Sequence, residues 1–165
     1  MTIELQILVG TMTGTAELVA QELELRLDDG DIRVRTTLMD ELDASVFAPG
    51  GLFLICTSTF GQGDVPDNAQ QLYDSLLTLR PDLSNVFYGV FGLGDRTYAE
   101  TFCNGARRFD RILSELGAKR IGEVVLHDAS AGTLPEDVAA DWIAGWIGQC
   151  REALGADAGD FAAQR

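Results

Sequence analysis

Four apolar runs, Ile3 to Val9, Leu52 to Cys56, Val86 to Phe91 and Ile121 to Leu126, are the strongest constraint on how this chain can fold. Runs of this kind read as strands buried on both faces, which is the situation of strands in a parallel sheet. Ile32 to Thr37 instead alternates polar and apolar residues, as an edge strand would. Segments with helical spacing lie between the runs: Ala16 to Leu27, Asn68 to Leu79, Phe102 to Leu116 and Glu136 to Leu154. Each is long enough for a crossover, and Asp29-Gly30, Gly117 and Pro135 punctuate them suitably. Leu38 to Gly51 is less periodic and is read as a short helix or loop that ends at Pro49-Gly50-Gly51. This alternation predicts an α/β fold, a doubly wound five-stranded parallel sheet with helices on both faces. Strand order 2-1-3-4-5 would put the topological switch point between strands 1 and 3, where open parallel sheets bind ligands.

The loop after the first strand, Gly10-Thr11-Met12-Thr13-Gly14-Thr15-Ala16-Glu17, joins strand to helix through hydroxyls and glycine without a lysine. Amides at the start of a helix, together with its dipole, favour an anion, and three threonines add donors. An ordinary strand-to-helix turn, with Thr13 or Thr15 as N-cap, accounts for the loop equally well on its own. A triphosphate P-loop needs a Gly-Lys-Ser/Thr ending, and a dinucleotide fold needs Gly-x-Gly-x-x-Gly with an acid closing strand 2. Neither pattern is present, since Thr36 and Thr37 stand where the acid belongs. Two further segments follow later strands: Thr57-Ser58-Thr59-Phe60-Gly61-Gln62-Gly63-Asp64-Val65-Pro66-Asp67-Asn68, and Gly92-Leu93-Gly94-Asp95-Arg96-Thr97-Tyr98-Ala99-Glu100-Thr101-Phe102. All three loops are expected to meet at one edge of the sheet.

With 165 residues, 46% of them hydrophobic, one domain over residues 1–154 is expected, with 155–165 as a flexible C-terminal tail. No apolar run approaches a membrane span and no leader pattern is seen, so a cytoplasmic protein is expected. A net charge of -14 argues against nucleic acid and anionic membranes, and makes a basic protein surface the natural complement. Cys56, Cys103 and Cys150 are too far apart for a zinc site or a disulfide framework and are read as free thiols. Other chemistries fail on spacing. The sole histidine, His127, has no nucleophile elbow to serve and is read as capping strand 5. Neither Cys56 nor Cys103 begins a Cys-x5-Arg loop, and Thr11 and His127 replace the acids and lysine of a receiver domain. Trp142, Ile143, Trp146 and Ile147, like Tyr73 and Phe109, read as core, and Arg107, Arg108 and Arg111 as a solvated helix face.

The three loops together resemble the flavodoxin family, in particular its short FMN-binding members of the MioC type and the FMN domains of diflavin reductases. The likeness spans nearly the whole chain, and the insertion that long-chain flavodoxins carry in the last strand is absent. The resemblance implies a flavodoxin-like fold with FMN as cofactor. Its phosphate would be held by Thr11, Met12, Thr13, Gly14, Thr15 and Ala16, although Ala16 replaces a threonine of ordinary flavodoxins. Thr57, Ser58, Thr59, Phe60, Gly61 and Gly63 would flank one side of the isoalloxazine. Gly92, Leu93, Gly94, Asp95 and Tyr98 would form the other side, with Phe102, Cys103 and Asp128 close by. Tyr98 suits stacking on a flat, electron-poor ring. Gly61 matches the position whose peptide rotates to meet the N5 proton of the neutral semiquinone. Asp64, Asp67, Asp95, Glu100 and Asp128 would disfavour added negative charge on the flavin, about 1.4 kcal/mol corresponding to roughly 59 mV.

The implied function is an electron carrier, not an enzyme, shuttling single electrons through the semiquinone and hydroquinone. Its partners would be a basic-surfaced flavodoxin or ferredoxin reductase and an acceptor redox enzyme, and a monomer is expected. An FMN-dependent quinone-type reductase is the alternative, and an interaction module without flavin a third reading.

Overall fold

A computed structural model of the chain describes residues 3–11, 14–27, 32–59, 65–94 and 104–163, with side chains as far as residue 155. Five elements open the chain: β1 (Ile3–Gly10), α1 (Thr15–Leu27), β2 (Ile32–Leu38), β3 (Gly51–Thr57) and α2 (Gln70–Leu79). β4 (Val86–Gly94), α3 (Asn104–Glu115), β5 (Lys119–Arg120), β6 (Val125–Asp128) and α4 (Pro135–Ala163) complete it. The strands pair in parallel in the order β2-β1-β3-β4-β5, and β6 pairs with the far half of β4. The expected sheet order is therefore the observed one, with the switch point between β1 and β3.

Burial on both faces explains the continuous apolar runs. Ile3, Leu5, Ile7 and Val9 of β1 pack in one cluster with Val19, Leu23 and Leu27 of α1 and Ile143 and Trp146 of α4. Leu8, from the other face, joins Phe53, Ile55, Tyr88 and Val90 against Leu72 and Leu76 of α2 and Phe109 and Leu113 of α3. Tyr73 and Phe109 meet edge to face at 5.5 Å, and Trp142 stacks on Trp146 at 5.3 Å, so the aromatic positions expected in the core do pack there.

The β2–β3 connection is two short 3-10 helices, Met39–Glu41 and Ala44–Phe47, in the stretch of weak periodicity. They cover only part of the sheet. Among the described residues, the face stays open at the amino-terminal end of β1 and β2, where Glu4, Gln6, Arg33, Arg35 and Phe53 line a groove of about 590 Å³. That exposure is the physical reason β2 alternates in polarity.

The last strand departs from the uninterrupted Ile121 to Leu126 segment. Tyr88 pairs with Arg120 but Phe91 pairs with Val125, so five residues of the last strand are spanned by three of β4. Gly122, at φ +73°, absorbs the excess as a bulge. The Ile121 amide still bonds Tyr88 O at 2.8 Å, and Trp146 Nε1 donates to Ile121 O at 3.0 Å. Helix ends follow the expected punctuation: Gly117 takes φ +99° after α3, and Pro135 opens α4, whose backbone continues to Ala163. Asp29 and Gly30 lie outside the described residues.

Candidate cofactor site

Register alone brings together the strand ends from which the three loops depart. Gly10 pairs with Thr57, Thr57 with Gly92 and Gly92 with Leu126, so β1 and β3 end in one row, and β4 and β6 run only two residues past it, to Gly94 and Asp128. Thr11 and Ser58 leave the sheet from this row, whereas Leu93 stays in it, paired with His127. The row is tightly packed: a Cβ on Gly10 would sit 2.5 Å from Thr57 Oγ1, and one on Gly92 would sit 2.5 Å from Ala106 Cβ.

The first loop is built around a helix start. Gly14 adopts φ +90°, its amide donates to Thr11 Oγ1 at 2.8 Å, and its carbonyl accepts the first helical bond from Leu18 at 3.1 Å. Thr11 thus folds the turn back on itself, and Gly14 supplies the backbone geometry that other residues resist. The amides of Thr15, Ala16 and Glu17, in the first turn of α1, have no carbonyl one turn behind them within the helix. Among the described residues, an added Cβ at Gly14 would meet nothing within 4 Å.

The second loop is tied to both neighbours. Ser58 N and Oγ donate to Gly10 O at 3.0 and 3.4 Å. Thr57 is fully buried and its hydroxyl bonds Ser58 O at 3.1 Å. Gly105 N, at the start of α3, donates to Thr59 Oγ1 at 3.0 Å, linking the loop after β3 to the helix that follows β4. Asn68, just before α2, accepts from Thr11 N at 2.8 Å through Oδ1. The roles of Asn68 and Gly105 escape a sequence reading, since both sit outside the glycine- and threonine-rich loop cores; only the short Asp67-Asn68 pair at a helix start hints at one of them.

Of the other expected site residues, Leu93 is buried and Gly94 half-buried at the end of β4. Asp128 pairs with Gly94 across the sheet, while its carboxylate accepts from Ser130 N at 2.9 Å and Ser130 Oγ at 2.7 Å, capping a 3-10 turn. His127 lies within β6, 6% exposed, with Nε2 3.0 Å from Thr133 Oγ1. Met12, Thr13, Phe60, Gly61, Gly63, Asp95, Tyr98, Phe102 and Cys103 fall outside the described residues.

Cys56 lies directly beneath the site, fully buried, with Sγ donating to Ala16 O at 3.4 Å. Burial pushes its thiol from the ordinary 9.0 up to about 12, and does the same to Cys150 in α4. Tyr88 is also raised, first by burial and then by its 2.7 Å bond to Asp110. Folding therefore favours the neutral forms: this stabilisation is complete below about pH 9 and is lost as pH rises toward 12. We expect the urea midpoint to fall steadily between about pH 8 and pH 10.5, and a Cys56→Ala, Cys150→Ala double variant to fall less steeply. Equal slopes would contradict the assignment.

Such an arrangement defines a class: a doubly wound parallel sheet with a ligand site at its switch point, opened by an anion-binding helix start. The flavodoxin family model matches residues 7–142. MioC of Escherichia coli (strain K12) is 34% identical over 147 residues, covering 87% of this chain and 96% of that protein. Flavodoxin YqcA of the same organism is 38% identical over 145 residues, covering 87% and 95%. A solved structure of a cysteine-to-alanine mutant of flavodoxin from Pseudomonas aeruginosa superposes with a TM-score of 0.78 at 34% identity, covering 89% of this chain and 98% of that one. A stretch of 133 residues is also 39% identical to NADPH–cytochrome P450 reductase of Cavia porcellus, of which it spans 19%. The chain belongs to the flavodoxin family of FMN-binding electron-transfer proteins, and FMN is its cofactor.

Proposed function

We propose that this protein is a carrier passing single electrons from a basic-surfaced flavodoxin or ferredoxin reductase to an acceptor redox enzyme. One observation supports the reading: the Gly10–Thr57–Gly92 row brings Thr11, Ser58 and the end of β4, from which the three loops depart, to a single edge. The donors fit a phosphate monoester. First-turn amides of α1 and the hydroxyls of Thr11, Thr13 and Thr15 would provide hydrogen bonds, the helix would add its dipole, and no described residue lies within 4 Å of a Cβ placed on Gly14. Met12 and Ala16 would contribute amides.

Bound FMN supplies a ring that takes and gives electrons one at a time. The chain's own residues would orient it and exclude water. Thr57, Ser58, Thr59, Phe60, Gly61 and Gly63 would lie on one side, and Gly92, Leu93, Gly94, Asp95 and Tyr98 on the other. Phe102, Cys103 and Asp128 would sit near its margin. The Gly61 carbonyl would accept the proton-bearing N5–H, which favours the one-electron-reduced ring.

Acidic side chains at this edge, Asp40, Glu41 and Asp67, together with the net charge of -14, suit docking to a basic partner. Among the described residues no helix is long and apolar enough to cross a membrane. A monomer in a reducing cytoplasm is consistent with the free thiols of Cys56 and Cys150.

The test is stepwise anaerobic reduction of the FMN-loaded protein with its visible spectrum recorded. A long-wavelength band that grows to about one electron per flavin and then decays is the expected result. Direct two-electron bleaching would favour the quinone-type reductase instead.

A further inference from the structure

A parallel ladder leaves a loose end where its neighbours stop at different heights. Successive residues of β1 turn their backbone groups alternately to β3 and to β2. The Gly10 carbonyl faces β3, where it accepts from Ser58 N at 3.0 Å. Val9 O and Thr11 N therefore face the β2 side. β2 ends at Leu38, level with Val9, and the chain then turns away into the Met39–Glu41 helix. Among the described residues, no strand continues on that side to meet Thr11.

Asn68 fills the gap. Its Oδ1 accepts from Thr11 N at 2.8 Å and its Nδ2 donates to Val9 O at 3.2 Å, so one carboxamide presents the acceptor and donor of an absent strand residue. Nδ2 also lies 3.3 Å from Asp40 Oδ2, on the 3-10 turn that leaves β2. The backbone carrying Asn68 is itself anchored: Ala69 N bonds Pro66 O at 2.8 Å, Ala69 is fully buried, and its Cβ lies 3.3 Å from where a Cβ on Gly10 would stand.

We propose that Asn68 is the positioning residue of the phosphate cradle, adding one rung to β1 beyond the end of β2 and thereby fixing Thr11, whose Oγ1 accepts from Gly14 N, for the FMN phosphate. This rests on the phosphate placement proposed above. The chemistry requires a carboxamide. Aspartate can accept from Thr11 N but cannot donate to Val9 O, and it would set a second carboxylate against Asp40. Alanine leaves both backbone groups without their partner, and the turn then loses the anchor at its first residue.

Wild type, Asn68→Ala and Asn68→Asp are titrated with FMN and with riboflavin, which lacks the phosphate, by quenching of flavin fluorescence. Both variants are expected to bind FMN about tenfold more weakly while riboflavin affinity stays within about twofold of wild type. Retained riboflavin binding reports that the variants are folded. FMN affinity unchanged in both variants would overturn the proposal. So would FMN and riboflavin affinities falling together in Asn68→Asp, which preserves the side chain's size, because that is the signature of a general structural role. A wild type that binds both flavins equally would remove the phosphate placement itself and this inference with it.

Discussion

Replacing Gly14 with valine is expected to lower FMN affinity by about 100-fold or more while the protein remains folded. Two effects act in the same direction. Gly14 sits at φ +90°, a region that β-branched residues adopt only at a cost of about 1–3 kcal/mol. Relief of that strain would rotate the peptide whose amide bonds Thr11 Oγ1 and whose carbonyl starts α1, so the first-turn amides would no longer converge. The new side chain would also occupy space where, among the described residues, a Cβ meets nothing within 4 Å. Strain alone corresponds to roughly 5- to 150-fold, and occupation of the phosphate's space adds to it. Fluorescence titration with FMN checks the value, and Gly14→Ala should fall between the two proteins. Wild-type FMN affinity in Gly14→Val would displace the phosphate from this turn.

Trp146→Ala is expected to destabilise the fold by about 3–5 kcal/mol, the range for removing a large buried aromatic. Trp146 is 1% exposed and stacked on Trp142. It lies so close to β4 that a Cβ on Gly89 would come within 2.5 Å of the ring. Its Nε1 donates to Ile121 O beside the Gly122 bulge, so the truncation creates a cavity and leaves a carbonyl at the strand break without its donor. With a denaturant sensitivity of about 2 kcal/mol/M, the urea midpoint should drop by about 1.5–2.5 M. Trp146→Phe keeps most of the packing but not the donor and should cost about 1–2 kcal/mol. A loss below about 1 kcal/mol for the alanine variant would mean that α4 does not brace the broken strand.

Trp146 also illustrates how far the fold was legible. Its helical spacing with Trp142, Ile143 and Ile147 marked it as core, yet nothing in that spacing points to the carbonyl it satisfies. The broken strand was signalled by Gly122 and Glu123 inside an otherwise apolar run. Reading the run as continuous overlooked both, and only pairing with β4 shows that two extra residues must bulge out. Thr11, Gly14, Thr57 and Gly92 could be marked as candidates from sequence because phosphate and flavin loops ask for hydroxyls and close backbone approach in short, recognisable strings. Asn68 and Gly105 could not, because each serves a segment far away in the chain, Asn68 reaching back 57 residues to Thr11.

Local chemistry was enough to determine the parallel α/β class and to mark the candidate loops, because hydrophobic period, helix punctuation and loop composition act over a few residues and are written in order. The expected strand order is realised only by pairing between distant segments. Tertiary structure decided where β2 stops relative to β1, where the last strand bulges and which side chain completes the ladder at Thr11. Those outcomes depend on register between segments distant in the chain, and register is settled only when both faces of the sheet are packed at once.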